Sequence, residues 1–137
     1  FASEAIRLGI RLVNNKQTIN QYVNDAIGYR MQPEQMLFYS YNCFGTADAI
    51  SFDEKKMFLR VHDLKTGVTK ASENQLYVYV ALFCLEYGYK PNDIQAEVRI
   101  YQEGEVRSYI PDPVDIIYIM EKIVTFDKKI DELNASL

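Results

Sequence analysis

The stretch Gly45-Thr46-Ala47-Asp48-Ala49-Ile50-Ser51-Phe52-Asp53-Glu54-Lys55-Lys56-Met57-Phe58-Leu59-Arg60-Val61-His62-Asp63-Leu64-Lys65-Thr66-Gly67 decides the fold. Two runs of β-forming residues, 45–52 and 57–65, flank the short charged link Asp53-Glu54-Lys55-Lys56, which predicts a hairpin. Strand side chains alternate, so Met57, Leu59, Val61, Asp63 and Lys65 share one face. Three apolar residues followed by an acid and a base are an unusual set for one face, because a half-buried charge needs a partner or a metal. A link of two or four residues puts Asp48 on that same face. It then stands opposite Asp63 or one diagonal step away, with Cβ atoms roughly 4.5–8 Å apart. Two carboxylates that close repel each other. A divalent cation, Mg2+ or Mn2+, would neutralise them. Lys65 beside it could orient or deprotonate a water, or stabilise charge building on a phosphate. The chemistry that fits is phosphodiester hydrolysis. The plain alternative is a surface hairpin with a Lys65–Asp63 ion pair.

Working outward, residues 2–13 repeat apolar side chains at helical spacing, and a second helix is predicted over 18–27 with Thr18 and Gln21 as a capping box. A strand is predicted over 36–41 ahead of the hairpin. Residues 73–87 predict a helix that is apolar nearly all round and therefore buried, with Ser72 as N-cap, Gln75 as its box partner and Gly88 as the stop. Strands over 94–101 and 106–110 follow, joined at Glu103-Gly104. Asp112 and Pro113 open a last helix to 135, whose apolar stripe is expected to pack against the sheet. The order α-α-β-β-β-α-β-β-α implies an α/β fold: a mixed central sheet with helices on both sides, one domain over 1–137.

The chain of 137 residues is 48% hydrophobic and 25% charged, which excludes a disordered chain. No run approaches the ~20 apolar residues of a membrane span, so no membrane partner is expected. The net charge is −4. Residues 1–85 carry nine Lys/Arg against eight Asp/Glu, and residues 86–137 carry six against eleven, so the acidity belongs to the last third. The overall charge argues against an indiscriminate DNA binder held by a basic surface, and leaves room for a neutral or mildly basic face on the rest of the chain. Contact with DNA is expected at the face bearing Asp48 and Asp63, helped by some of Arg7, Arg11, Lys55, Lys56 and Lys70. Two cysteines, Cys43 and Cys84, form no CxxC and cannot make a four-cysteine iron–sulfur or zinc site. Free thiols in a reducing cytoplasm are the expectation.

Three motifs in order give the chain a family resemblance. Gly45-Thr46-Ala47-Asp48 fits G-x-x-D, Asp63-Leu64-Lys65-Thr66-Gly67 fits D-x-K-T-G, and Gln75-Leu76-Tyr77-Val78-Tyr79 fits Q-x-x-x-Y. The sequence resembles the PD-(D/E)XK nuclease superfamily, in its RecB-like branch with the lambda-type phage exonucleases. The resemblance covers roughly residues 34–101. It implies a restriction-endonuclease-like core and Mg2+- or Mn2+-dependent cleavage of DNA in recombination, repair or replication, in a phage or bacterial cytoplasm. It implies Asp48 and Asp63 as metal ligands, the Leu64 carbonyl as a further ligand, and Lys65 as the catalytic lysine. It places Gln75 and Tyr79 on one helix face aimed at the site, against the readings of Gln75 as a cap partner and Tyr79 as core. Glu34, fourteen residues before Asp48, would join the metal shell or stand in a solvated loop.

The sequence departs from the family at the first helix, where many relatives carry a histidine ligand and here Gly9 is followed by Val13 and Asn14. His62, the one histidine, alternates with Asp63 and is expected to be structural. With no cysteine cluster, the analogy is to cluster-free exonucleases, acting alone, as a homo-oligomer or within a larger assembly. The competing reading is a nuclease fold without turnover that binds DNA or partner proteins.

Overall fold

The computed structural model describes residues 1–137 in the order α1 (Ala2–Leu8), α2 (Thr18–Gly28), β1 (Gln32–Ser40), β2 (Cys43–Asp53), β3 (Phe58–Lys65), α3 (Asn74–Tyr87), β4 (Gln95–Gln102), β5 (Glu105–Tyr109) and α4 (Pro113–Ala135), with a 3-10 turn at Pro91–Asp93. The five strands form one sheet in the order β1-β2-β3-β4-β5. Every neighbouring pair is antiparallel except β3 and β4, which run parallel across the α3 crossover. The fold is therefore α/β with a mixed sheet, as the element order implied.

The sheet separates two cores. On one side Leu59, Val61, Val98 and Ile100 pack with Leu76, Val80, Ala81 and Cys84 of α3 and with Ile116 of α4. On the other, Ala49 and Tyr101 pack with Ala5 and Ile6 of α1 and Tyr22, Val23 and Ala26 of α2. α3 lies between the sheet and α4, which is why its sequence is apolar on almost every side.

Several expectations are corrected. α1 stops at Leu8, because Gly9 turns into the left-handed region (φ 67) and the Ile10 N–H closes back on the Ala5 carbonyl, a 6→1 termination. The apolar periodicity beyond it belongs to an irregular segment whose Ile10 and Val13 are exposed. Thr18 and Gln21 cap no helix: Thr18 Oγ1 accepts from the Gly104 N–H (2.6 Å), and Gln21 Nε2 donates to the Lys16 and Gly104 carbonyls. They tie α2 to the β4–β5 turn. β1 begins at Gln32, earlier than predicted. Pro33 is tolerated because β1 is an edge strand. α4 keeps its expected bounds but packs on α3, and Phe126 and Leu133 in its second half are exposed.

Candidate metal centre

The hairpin register places the two acids. Asp53 pairs with Phe58 and Ala49 with His62, so the turn is Glu54–Met57 and Asp48 stands across from Asp63. Asp53 stabilises that turn by accepting from the Lys55 and Lys56 N–H groups. The β2–β3 ladder ends at Ala49 and His62. One step beyond, the Asp48 side chain takes over: its Oδ2 accepts the Leu64 N–H at 2.8 Å. The N–H and C=O of one strand residue point to the same side, so the Leu64 carbonyl is directed to the same edge.

A second irregularity lies at the same level. Ala47 belongs to the α3-side core and Ala49 to the α1/α2-side core, although a regular strand puts both on one face. Across from Asp48 in the β1–β2 register is Glu34, whose φ of 50 lies in the left-handed region. The β1–β2 hairpin changes face here. Distortions of this kind re-aim side chains next to functional sites. Glu34, Asp48 and Asp63 thus form one row across β1, β2 and β3.

Asp63 is the buried member, with its side chain 6% exposed. Lys65 Nζ lies 3.0 Å from its Oδ2, at an angle that leaves this buried oxygen without a directed hydrogen bond. Burial, then the adjacent Asp48 carboxylate, push the Asp63 pKa up to about 6, with Lys65 only partly offsetting them. The same Lys65 Nζ donates to Gln75 Oε1 at 3.2 Å. Gln75 is therefore at the site and not the partner of Ser72. α3 has Glu73 as its N-cap with no side-chain cap, while Ser72 Oγ accepts from the Asn74 N–H.

Tyr79, one turn on, is buried with its ring over Gly45. Its pKa is raised by burial and then by Asp63 and Asp48, which places its hydroxyl in their field. Tyr79 is at once core and site wall. Glu34 is less simply placed. It stands in the acidic row, but its carboxylate accepts from Ser3 (2.6 Å) and pairs with Arg7 (3.4 Å), which tie it to α1. No group of three or more His, Cys, Asp and Glu side chains comes together to hold a metal.

Other charges are distributed differently from expectation. Lys55 and Lys56 sit on the turn at the far end of β2 and β3, five or more residues from the acids, about 17 Å or more. They are remote from the site. His62 is fully buried on the opposite face, with Nδ1 3.3 Å from the Tyr101 hydroxyl and its ring edge-on to Tyr29. Its structural reading stands.

Tyr22 was not singled out by the sequence. It is buried on α2, and its hydroxyl pKa is raised by burial and then by Asp48, Asp63 and Glu34. The helical spacing of α2 gave no sign that the acids reach one of its members electrostatically. Gly45 is the other residue whose role appears only in three dimensions.

No family model matches the chain. No curated protein matches it either. Among solved structures it is similar to one described as the crystal structure of SSO0001, at 11% identity and a TM-score of 0.38, over 91% of this chain and 84% of that one. A likeness this weak carries no argument about function.

Proposed function

We propose that the protein is a divalent-metal-dependent DNA nuclease, an exonuclease of DNA recombination, repair or replication. The observation that carries this reading is the buried Asp63 carboxylate, paired with Lys65 at 3.0 Å and facing Asp48 across the end of the β2–β3 ladder. Lys65 alone does not balance Asp48 and Asp63, since Glu34 is already paired with Arg7. A hard dication with oxygen preference does, and the donors present are of the right kind: the Asp48 and Asp63 carboxylates and the Leu64 carbonyl. Such a cation, when bound, supplies charge neutralisation at a phosphodiester and acidifies a water.

The remaining roles fall to the chain itself. Lys65, half-exposed and held by Gln75, reaches past Asp63 toward solvent, where a phosphate would approach. It can hold or take a proton of the attacking water, or stabilise the charge that develops on the phosphate. Gln75 orients that ammonium group. Tyr79 packs beside the acids on the α3 side. With a net charge of −4, the protein would hold DNA chiefly at this face and in a metal-dependent way. No helix is long and apolar enough to cross a membrane. Both cysteines are free thiols.

The test is incubation of the protein with end-labelled linear DNA and with circular DNA, in Mg2+, Mn2+ or EDTA. Release of label from linear DNA alone, in Mg2+ or Mn2+ only, is the expected result. Cleavage of circles would make the enzyme an endonuclease, and the absence of any divalent-dependent cleavage would overturn the proposal.

A further inference from the structure

Between Lys65 and Gln75 the chain leaves the sheet and runs without regular structure to the start of α3. Gln75 follows this loop directly, in the first turn of α3. Against it lies Gln102, the last residue of β4, buried and paired in the β3–β4 register with Lys65 itself. Its side-chain amide donates from Nε2 to the Gly67 carbonyl (2.7 Å) and the Thr69 carbonyl (2.8 Å). Its Oε1 accepts from the Ala71 N–H (3.1 Å) and from Arg107 Nη2 (2.9 Å). Arg107 Nη2 also donates to the Ala71 carbonyl (3.1 Å). A primary amide offers two donors and two acceptor lone pairs, and all four are in use. Gln102 grips alternate residues of the loop, 67, 69 and 71, much as a neighbouring strand would.

We propose that Gln102, braced by Arg107, is a positioning residue for Lys65: its clasp on Gly67, Thr69 and Ala71 fixes the loop path that brings Gln75 to the lysine and holds Nζ beside Asp63. The proposal rests on the reading of Lys65 as the working group of the site. The side-chain hydrogen bonds of Gln102 go to the loop and to Arg107, and none goes to Asp48 or Asp63. Its effect passes through the loop and appears at Lys65.

The test replaces Gln102 with Met in the whole chain, which keeps length and removes all four hydrogen bonds. The primary readout is the mobility of the Lys65 side chain by nuclear magnetic resonance, without metal or DNA, so the result stands whether or not the protein cleaves DNA. Lys65 should become as mobile as the exposed Lys128, while amides 96–101 of β4 keep their exchange protection. In a cleavage assay kcat should fall about tenfold, the size of loss that follows small misplacement of a reacting group, with KM for DNA and Mn2+ affinity unchanged within about twofold. A loosened loop with an unchanged Lys65, or an unchanged kcat in a protein that cleaves, would reduce Gln102 to a structural clasp and overturn the proposal. If Gln102→Met does not fold, Gln102→Glu gives the same reading. It keeps the acceptors for Ala71 and Arg107 and loses both donors.

Discussion

The ring of Tyr79 lies so close to Gly45 that a Cβ there would come within 2.8 Å of Cε1 and 3.4 Å of Cδ1. The glycine of the first motif and the tyrosine of the third thus meet in one contact. It seats the β1–β2 hairpin on α3 just where the hairpin changes face. The ring is buried and cannot swing away. Gly45→Ala should therefore destabilise the protein by about 1–3 kcal/mol, the range for overpacking a filled core. Tyr79→Val in the Gly45→Ala background should recover part of the loss, as a double-mutant cycle in urea would show. Full stability of Gly45→Ala would mean that the hairpin is not seated this way.

Asp48 has two duties, accepting the Leu64 N–H and facing Asp63. Asp48→Asn keeps an acceptor for the N–H and removes the charge. Calorimetry should show Mn2+ affinity reduced by at least about tenfold, while the metal-free variant is no less stable than wild type, because the carboxylate repulsion is gone. Unchanged Mn2+ binding would remove Asp48 from the ligand set.

The raised Asp63 pKa sets a pH dependence. At about 6 against an ordinary 3.8, the metal-free folded protein holds this proton more tightly than the unfolded chain does. The stability it contributes is fully present below pH 3.8 and is lost as pH rises through about 6. His62 acts in the opposite sense. Burial, then Arg99, lower its pKa from 6.5 to about 3, so its contribution is present above pH 6.5 and is lost as pH falls toward 3. In EDTA, Asp63→Asn should match wild type near pH 4 and exceed it by pH 7 by up to about 3 kcal/mol, from 1.36 kcal/mol per pKa unit. The acid-side loss due to His62 should persist in the variant. Urea titrations across pH 3–7 measure this, and a difference constant with pH would refute the assignment to Asp63.

The sequence made legible what depends on period and parity. Alternation along 45–65 put Asp48 and Asp63 on one face, opposite or one diagonal step apart, and the register makes them opposite; the Asp112-Pro113 start fixed α4. What it hid depends on contacts between distant segments. The α1 pattern ran on past Gly9 because periodicity does not register a left-handed residue. Gln75 satisfied a capping rule in sequence while its side chain was drawn to Lys65, ten residues away. Glu34 shares the acidic row, but its pairing with Ser3 and Arg7 required knowing where α1 lies. Tyr22 looked like any apolar member of α2, although burial and the acids together raise its hydroxyl pKa.

The most direct test of a metal-dependent nuclease centre is the initial rate of linear-DNA cleavage by Lys65→Ala at saturating Mn2+, beside wild type and with Mn2+ binding measured on the same samples. The variant should bind Mn2+ as wild type does and cleave on the order of a hundredfold more slowly, the loss expected for a group acting on the proton or charge of the transition state. Cleavage at the wild-type rate would contradict the account and leave Lys65 as nothing more than the ion-pair partner of Asp63.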